Sequence, residues 1–470
     1  MSDPQSTRTA TTVATSSWSD LRAQLRGRLI QPDDADYEEA RHTWNGMADK
    51  RPAAIAQCSD ADDVAAAVNF ARDHGVLLSI RGGGHSIPGH STCDGGLVID
   101  LSPMKAISVD PAARTARAEG GVKWGELDAA TQQHGLATTG GTNSDTGIAG
   151  LTLGGGEGWL VRAFGYACDN LLAAEVVLAD GSRVRATEQE NADLFWGLRG
   201  GGGNYGVVTA FEYRLHPVGP TVLAGPIIYP LDQVREVAAF QREFMRAAPD
   251  ALMVMTAFLT VPPVEPFPEP LHGQKLLFVV PLYVGPVEQG ERVLAPLRAV
   301  GHPIADAVAP IPYVALQQSL DAVLPRDMHI WSRYEYLRDL EDDAMALIAD
   351  HFLQAPGPQT VVVVGRLGGA LDRIAPAATA AAHRGKPYFA WIIGGWLSQQ
   401  LDDQGIAWTR GVSEALQPFA AGGTYVNALP DAGDAQIHTA YPPQTYERLV
   451  ALKRKYDPGN LFRLNQNIVP

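Results

Sequence analysis

Three successive glycines, Gly82 to Gly84, constrain this chain more than any other feature of its sequence. They stand within residues 80–90, which read IRGGGHSIPGH and follow a strand-like run at 76–80. Three adjacent glycines cannot support a stable helix or strand, but their bare amides can curl around an anion. Arg81 would add a positive charge at the mouth of this loop, and His85 is its nucleophilic side chain. The alternative is a surface turn with an incidental histidine, because a short motif alone is only a hypothesis.

The length of 470 residues predicts two domains, since a single hydrophobic core rarely grows that large. Hydrophobic residues make up 46% of the chain and charged residues 19%, which is a globular balance. With 37 Lys and Arg against 52 Asp and Glu, the net charge is −15. A nucleic-acid or anionic-membrane partner needs a basic surface, so we expect neither.

The three cysteines cannot build a disulfide framework, and none belongs to a CxxC pair. Residues 1–19 lack the apolar core of a signal peptide, and the sequence has no run of 18 apolar residues. We therefore expect a soluble, cytoplasmic protein. Residues 1–34 are interpreted as a leader that is disordered to about Ser17 and then forms a short amphipathic helix over Trp18–Leu29.

A second glycine-dense segment lies at 138–158, where eight of 21 residues are glycine. Flexible linkers reach that density, but they lack bulky apolar residues such as the interleaved Ile148, Leu151 and Leu153. The segment is therefore expected to be buried, with its backbone close to another backbone or to a planar ligand. We favour the ligand and keep purely structural packing as the alternative.

A third glycine cluster, at 200–206, contains the pattern GxGxxG that marks dinucleotide-binding Rossmann units. In those units the glycines follow a strand and open a helix. Here a helical stretch at 192–198 comes first, and a strand at 207–215 follows. The order is reversed, so the sequence does not predict a Rossmann fold.

Strands and helices are mixed along the whole chain, which indicates an α+β or α/β protein. In the first part, strands are predicted at 53–55, 76–80, 97–101, 107–109, 115–119 and 175–182, and helices at 60–74 and 124–134. After residue 217, strands are predicted at 276–280, 360–364 and 389–396, and helices at 234–247 and 340–352. This second part is expected to form a domain of its own, with helices on one face of a sheet.

Polar-tipped side chains of the second part are candidates for a substrate pocket, although each is individually more typical of core or surface. They are His329, Trp331, Arg333, Tyr334, Tyr336, His383, Arg384, Trp391 and Trp396. Near the end of the chain, a short strand is predicted over 424–427, which places Tyr425 and Asn427 on the same face. A helix at 441–455 and a turn at 456–462 follow.

Taken together, these motifs resemble those of the berberine-bridge-enzyme-like FAD oxidases of the vanillyl-alcohol oxidase superfamily. In chain order they are RGGGHS at 81–86, the segment 147–158, GNYGVVT at 203–209, Tyr425-x-Asn427 and YDPGNLFRLNQNI at 456–468. The resemblance spans about residues 40–470. It implies an α+β, two-domain fold of the p-cresol methylhydroxylase (PCMH) type. Its FAD-binding domain is split between 35–220 and 420–470, around an antiparallel-sheet substrate domain at 221–419.

By this resemblance the cofactor is FAD, whose pyrophosphate the glycine loop holds and whose 8α-methyl carbon bonds covalently to His85. Imidazole is a nucleophile near neutral pH, which suits that role. Many members add a second link from a cysteine to the flavin, but Asn143 occupies the matching position here, so no cysteinyl link is expected. Thr146 lies where the family's oxygen gate is expected. The implied cofactor-binding residues are Arg81, Gly82, Gly83, Gly84, His85, Ser86, Gly89, His90, Gly141, Thr142, Asn143, Thr146, Gly147, Gly150, Leu153, Gly154, Gly155, Gly158, Gly206, Val207, Val208, Tyr425, Asn427, Asn465 and Asn467.

Catalysis in this family takes a proton from a substrate O–H or N–H while a hydride goes to the flavin, which O2 then reoxidises. Tyr425 matches the tyrosine that serves as base in several members, and Asn427 is implied as a second catalytic group. A phenol has an ordinary pKa near 10, so a base role needs a lowered pKa. Simple hydrogen bonding to the substrate stays an open alternative. The implied substrate residues are Tyr334, Tyr336, His383 and Trp391.

The implied function is oxidation of an alcohol or amine, on a sugar-like or natural-product molecule, with O2 reduced to H2O2. A dehydrogenase of the same fold with another electron acceptor is the alternative. A degenerate flavoprotein that acts as a binding or structural protein is a third hypothesis, which the intact His85 loop and Tyr425 disfavour. The expected partners are a small-molecule substrate and O2, in a monomer or homodimer. No metal is expected, because His85, His90 and Cys93 lack a fourth ligand.

Overall fold

The protein is described by a computed structural model that covers residues 15–470 except 265–266 and 431–432. Most of the leader that was expected to be disordered, residues 1–14, lies outside the described residues, and the first helix already includes Ser17. The helices are α1 (Thr15–Gln24), α2 (Tyr37–Arg41), α3 (Ala61–His74), α4 (Trp124–Gln132), α5 (Ile148–Leu153), α6 (Val161–Phe164), α7 (Ala192–Leu198), α8 (Val234–Arg246), α9 (Val287–Arg298), α10 (Tyr313–Gln318), α11 (Asp342–Leu353), α12 (Asp402–Leu416), α13 (Asp434–Ala440) and α14 (Pro443–Tyr456). The strands are β1 (Arg28–Ile30), β2 (Ala54–Gln57), β3 (Leu78–Arg81), β4 (Leu97–Asp100), β5 (Ile107–Asp110), β6 (Thr115–Glu119), β7 (Leu136–Ala137), β8 (Leu171–Val177), β9 (Arg183–Ala186), β10 (Val207–Arg214), β11 (His216–Pro217), β12 (Thr221–Ala224), β13 (Ile227–Pro230), β14 (Leu252–Thr260), β15 (Lys275–Tyr283), β16 (Ala305–Asp306), β17 (Ala309–Pro312), β18 (His329–Leu337), β19 (Val361–Arg366) and β20 (Tyr388–Trp396).

The first helix is shorter than the sequence predicts. α1 ends at Gln24, and Leu29 belongs to β1 instead of to a last helical turn. The reason is the intervening Gly27. A Cβ there would lie 1.9 Å from the carbonyl oxygen of Gln57, so only glycine lets the chain approach β2 closely enough to pair with it.

The first sheet carries the glycine loop. Its order is β1-β2-β4-β3, in which β2, β4 and β3 run parallel and β1 pairs antiparallel with β2. α3 packs on this sheet, with Asp60 accepting two backbone N–H groups of its first turn and Gly75 ending it at a φ of 65°. β3 runs to Arg81, so the loop at 82–90 begins at the carboxyl end of a parallel strand. That is where open α/β sheets bind their ligands.

The second sheet is antiparallel, with the order β5-β6-β10-β8-β9. The strand predicted at 175–182 is β8, which begins earlier and ends at Val177. α7 comes before the third glycine cluster, and β10 begins directly after it at Val207. This order confirms that the cluster is not a Rossmann fingerprint.

The third sheet has the order β16-β13-β15-β14-β19-β20-β18, with β12 and β17 beside β15, and its described pairs are antiparallel. Its two faces alternate along each strand. Val362 and Ile392 pack with α8, α9, α11 and α12, whereas Val363 and Trp391 belong to the opposite face. The predicted helix cover on one face is therefore confirmed, and the other face is free to line a cavity.

The end of the chain returns to the first part of the fold. Leu449 and Leu452 of α14, together with Ile468, pack in one core with Trp124 and Tyr213. Within the described ranges, no helix is both long and apolar enough to cross a membrane.

A buried lysine stabilises the turn at 456–462. Lys453 Nζ donates to the carbonyl oxygens of Asn204 at 2.9 Å and Phe462 at 2.8 Å, and to Asp457 Oδ2 at 2.8 Å. Asp457 accepts two backbone N–H groups of the same turn. The turn is thereby fixed against the third glycine cluster, which contains Asn204.

Candidate active site

A cavity of about 870 Å³ lies where the three glycine clusters, the third sheet and the end of the chain meet. Its volume falls within the range of ligand pockets, about 300–1,000 Å³. The predicted residues that line it are Gly82, Gly83, Gly84, His85, Ser86, His90, Gly141, Thr142, Asn143, Thr146, Gly147, Gly150, Leu153, Gly158, Gly206, Val207, Val208, Trp391, Tyr425, Asn427 and Asn465. The predicted residues that lie outside its wall are Arg81, Gly89, Gly154, Gly155, Tyr334, Tyr336, His383 and Asn467.

The first two glycine clusters touch each other directly. A Cβ on Gly83 would lie 2.2 Å from the Gly147 nitrogen, and a Cβ on Gly147 would lie 2.3 Å from the Gly83 nitrogen. A Cβ on Gly158 would lie 1.9 Å from the Gly140 carbonyl oxygen. Gly150 differs, because the described structure places no heavy atom within 4 Å of its Cβ position. Both interpretations of the second cluster therefore hold: part of it packs backbone on backbone, and part opens on the cavity.

Three contacts hold the His85 ring on the cavity wall. It stacks on the Trp44 indole, with ring centroids 4.6 Å apart and an interplanar angle of 17°. Its Nε2 lies 3.2 Å from Asp145 Oδ2, and its Nδ1 lies 3.5 Å from Thr146 Oγ1. A carboxylate only accepts hydrogen bonds, so Nε2 carries the proton and Nδ1 is unprotonated, with the Thr146 hydroxyl as its distant donor.

Two cations fix the carboxylate that holds this ring. Lys123 donates to Asp145 Oδ1, and Arg326 Nε lies 3.1 Å from Oδ2. Burial alone would raise the pKa of Asp145, but hydrogen bonds from His85 and Lys123 outweigh it and hold the pKa well below its usual range. Burial also lowers the pKa of His85, although Asp145 opposes that change. The ring is therefore a neutral imidazole near pH 7, which is its nucleophilic form.

The Tyr425 hydroxyl is surrounded by donors. It accepts the backbone N–H of Gly156 at 2.9 Å, that of Glu157 at 3.3 Å and Asn427 Nδ2 at 2.9 Å. Burial, reinforced by the Glu157 carboxyl group, nevertheless raises the pKa of Tyr425 above its ordinary value. Tyr425 is therefore a neutral phenol whose own proton is left for a ligand in the cavity.

The strand predicted over 424–427 is not formed. Residues 426–428 make a 3-10 turn instead, and this turn brings Asn427 back onto the Tyr425 hydroxyl. Asn427 Nδ2 also donates to the Leu151 carbonyl at 3.0 Å. A Cβ on Gly154 would lie 2.0 Å from Asn427 Oδ1, so Gly154 supports this pair without lining the cavity.

Comparison with known proteins identifies the family. Residues 52–187 match the family described as FAD binding domain, and residues 424–469 match the one described as berberine and berberine like. The chain is 31% identical over 452 residues to an FAD-linked oxidoreductase of Dictyostelium discoideum, covering 95% of each chain. It is 32% identical over 463 residues to (R)-6-hydroxynicotine oxidase of Paenarthrobacter nicotinovorans, covering 95% of this chain and 97% of that one. The chain belongs to the berberine-bridge-enzyme-like FAD-linked oxidoreductases.

Solved structures of this family confirm the predicted fold. The crystal structure of 6-hydroxy-D-nicotine oxidase from Arthrobacter nicotinovorans superimposes with a TM-score of 0.84 at 29% identity, covering 95% of this chain and 98% of that one. Chitooligosaccharide oxidase shares the fold with a TM-score of 0.83 at 23% identity, covering 97% and 99%. The protein is thus an oxidoreductase with the α+β, PCMH-type fold, and its cofactor is FAD.

The cavity wall fits such a cofactor. His90 Nε2 and Asn465 Oδ1 are buried and have no hydrogen-bond partner among the described residues. Burial lowers the pKa of His90 to about 4, so this ring is neutral as well. A Cβ on Gly203 would meet no described heavy atom within 4 Å. Buried polar atoms need partners, and a long polar cofactor that lies against these bare glycines would supply them.

The expectation that Arg81 stands at the mouth of the loop is wrong. Its guanidinium is buried and donates to the carbonyl oxygens of Ala40, Arg41 at 3.3 Å and Ser91 at 3.2 Å. These three carbonyl oxygens accept the hydrogen bonds of the guanidinium and stabilise its positive charge. Arg81 therefore does not line the cavity, whereas Gly82 to Gly84 do.

Only one of the four predicted substrate residues, Trp391, lines the cavity. Tyr334 lies behind the wall and stacks on Phe389, which does line it, with centroids 5.4 Å apart. Tyr336 is buried beside Tyr334. His383 Nε2 contacts a backbone carbonyl of α13 at 2.9 Å and turns away from the cavity.

Glu157 is a cavity residue that the sequence prediction missed. It stands in the run GGGEGW, and its Oε2 accepts the Tyr334 hydroxyl at 2.6 Å. Burial raises the pKa of Glu157 to about 7. The available signal was an acid inside a segment predicted to be buried, because buried acids are rare unless they have a partner or a function.

Proposed function

We propose that this protein is an FAD-dependent oxidase that removes a hydride and a proton from an alcohol or amine of a small, sugar-like or natural-product substrate. The observation that carries the proposal is the His85 ring. It lies on the cavity wall, in the glycine loop and beside Asp145, as a neutral imidazole whose unprotonated Nδ1 lies 3.5 Å from the Thr146 hydroxyl. When bound, the flavin accepts the hydride and passes two electrons to O2, which with two protons gives H2O2.

His85 is proposed as the covalent tether, through a bond between an imidazole nitrogen and the flavin 8α-methyl carbon; this bond would replace one C–H bond of the methyl group, with the proton lost to solvent and the two electrons passed to O2. Nδ1 is the nitrogen that the Asp145 contact leaves free. Asn143 lines the cavity at the position of the second link, and an amide cannot form a thioether, so one attachment is proposed. Gly82 to Gly84 are proposed to hold the pyrophosphate through their amides.

Tyr425 and Asn427 are proposed to orient the substrate. Three N–H donors occupy the acceptor side of the Tyr425 oxygen, so its O–H points to another acceptor. The raised pKa supports hydrogen bonding by a neutral phenol over proton abstraction by a phenolate.

Oxygen is proposed as the electron acceptor because Thr146, at the position of the family's oxygen gate, is a small side chain on the cavity wall. A cytoplasmic monomer or homodimer remains our proposal for location and assembly. Neither the location nor the assembly state alters the chemistry of the site.

The test begins with the purified protein and its matched His85→Ala and His90→Ala variants. Acid precipitation should leave yellow flavin in the pellet of the wild type and of His90→Ala, and release it from His85→Ala. Flavin that survives acid in His85→Ala would refute the tether. A panel of alcohols and amines should bleach the flavin anaerobically and produce H2O2 in air.

Bleaching without H2O2, but with reduction of an added dye, would favour the dehydrogenase alternative. A colourless wild-type protein would overturn both enzyme assignments.

A further inference from the structure

The Glu157 carboxyl group is incompletely paired in the interior of the protein. Its Oε2 accepts the Tyr334 hydroxyl, and the nearby Tyr166 hydroxyl also lowers the pKa of the carboxyl group, but Oε1 is buried and makes no hydrogen bond of ordinary geometry with a described residue. A buried polar atom without a partner costs free energy, and a buried charge without one costs more. The unpaired Oε1 is therefore a candidate acceptor for a ligand that donates a hydrogen bond.

Within the described wall of the cavity, Glu157 is the one acidic side chain, and no lysine or arginine faces it. The titratable groups packed around it are the hydroxyls of Tyr166, Tyr334, Tyr336 and Tyr425. None of them carries a positive charge.

The cation that lies over the neighbouring Tyr166 ring, Arg384, is already paired. Its guanidinium pairs with Asp169 at 2.6 Å and lies over the Tyr166 ring, 5.2 Å from the centroid. An ionised Glu157 is therefore uncompensated by the described residues, which agrees with a pKa that burial raises to about 7.

The part of the cavity wall that the third sheet contributes is mostly apolar. The third sheet presents the apolar side chains Met253, Met255, Val280, Val363 and Phe389, together with Trp391, whose indole N–H is an unpaired donor among the described residues. A sugar would leave most of its hydroxyls unpaired against such a wall. An apolar molecule with one cationic group would match the wall and the carboxylate together.

We propose that Glu157 determines substrate specificity, and that the substrate is an apolar amine bound as its cation, with the ammonium N–H donating to the Glu157 carboxylate. This inference rests on the proposed function and narrows its alcohol-or-amine class. It assigns Glu157 a direct contact with the substrate, next to the Tyr425 hydroxyl that orients it.

The competing interpretation is structural: a protonated Glu157 would only anchor Tyr334. That role predicts no preference between a cation and a neutral molecule of the same shape. It also predicts no change of ligand affinity near pH 7, because the carboxyl group would keep its proton.

The test compares N-methylbenzylamine, a cation at pH 8, with its neutral isostere benzyl methyl ether. Binding to the holoenzyme, whose flavin is reduced beforehand so that no hydride transfer adds to the heat, is measured anaerobically by calorimetry for the wild type, Glu157→Gln and Asp128→Asn. Asp128 is the matched control, because it is also a buried carboxyl group with a pKa that burial raises to about 7, yet it bonds Gln317 and lies outside the cavity wall.

Glu157→Gln should weaken amine binding by at least about 30-fold and leave ether binding within about twofold, since an uncompensated buried charge pair is lost. Asp128→Asn should change neither. In the wild type, amine affinity should rise as the pH rises through about 7, because Glu157 is neutral below that pH and anionic above it. The ether should show no such dependence.

Equal weakening of both probes, no weakening, or failure of the wild type to prefer the amine would overturn the proposal. If Glu157→Gln does not fold, the two probes and the pH series on the wild type decide alone. Neither measurement needs turnover. Absence of acid-stable flavin or of H2O2 would therefore count against the proposed function. The binding of the two probes could still be compared.

Discussion

Replacing Asp145 with asparagine should slow the attachment of flavin to His85 without preventing flavin binding. The Asp145 carboxylate lies 3.2 Å from His85 Nε2 and fixes both the tautomer and the orientation of the ring. As Nδ1 forms a bond to carbon, the ring becomes positive, and a carboxylate stabilises that charge better than an amide does.

The expected decrease in the attachment rate can be calculated from the hydrogen bond between Asp145 and His85. A hydrogen bond to a charged group contributes about 1.5–3 kcal/mol, and a neutral one about 0.5–1.5 kcal/mol. The asparagine carbonyl can still accept the Nε2 proton, so the loss is the difference, about 1–1.5 kcal/mol. We therefore expect attachment to slow by about five- to tenfold.

The assay uses protein synthesised without flavin, to which FAD is added. Samples are quenched in acid at intervals, and covalent flavin is read as fluorescence in a denaturing gel. Arg326→Gln is the matched control. It removes a half-exposed partner of Asp145 but keeps the contact to His85, so it should change the rate by less than about twofold.

Attachment at the wild-type rate in Asp145→Asn would refute the reasoning, because the ring would then not depend on its carboxylate. Equal slowing in Arg326→Gln would also refute it, since the effect would come from the local field and not from the hydrogen bond. Reversible FAD binding should stay unchanged in both variants.

Three further predictions concern the scaffold. Lys453→Met should lower the free energy of unfolding by about 3–5 kcal/mol in urea titrations, because it leaves the buried Asp457 carboxylate without its counter-ion. Lys455→Met, at an exposed ion pair, should cost at most about 1 kcal/mol. Gly83→Ala should abolish flavin binding, since its Cβ would lie 2.2 Å from a backbone nitrogen, whereas Gly459→Ala, with open space around it, should bind FAD normally. Burial raises the pKa of Asp128 to about 7, so the native state holds a proton that the unfolded chain releases near pH 4. The free energy of unfolding should therefore fall as the pH rises from about 4 to 7. Asp128→Asn should remove the part of this fall that Asp128 causes, which is on the order of a few kcal/mol.

Local sequence patterns predicted most of the elements because their causes are local. Gly75 ends α3, and the order of α7 and β10 excluded a Rossmann unit. Once β20 is known to be a strand, the side chains that face the cavity follow from the alternation of side chains between its two faces. In the same way, the glycine loop could be placed after β3 with its histidine exposed to a ligand.

The misses concern contacts between distant parts of the chain. Arg81 has a long side chain, and nothing near it in sequence indicates that carbonyls 40 residues earlier bind it. The end of α1 depends on Gly27 meeting a strand 30 residues later. Glu157 and Tyr334 are 177 positions apart, so the pairing that makes this glutamate significant is visible only in the fold.

The protonation states of Tyr425 and Glu157 are linked, and this decides which of them can act as a base. Burial raises the pKa of both groups, and a negative charge on either one disfavours a charge on the other. The carboxyl group has the lower ordinary pKa, about 4.3 against about 10, so it ionises first. Tyr425 then stays a neutral hydrogen-bond donor, and the pH dependence of substrate oxidation should follow a group near 7. A profile governed by a group above about pH 9 would instead assign the base to Tyr425.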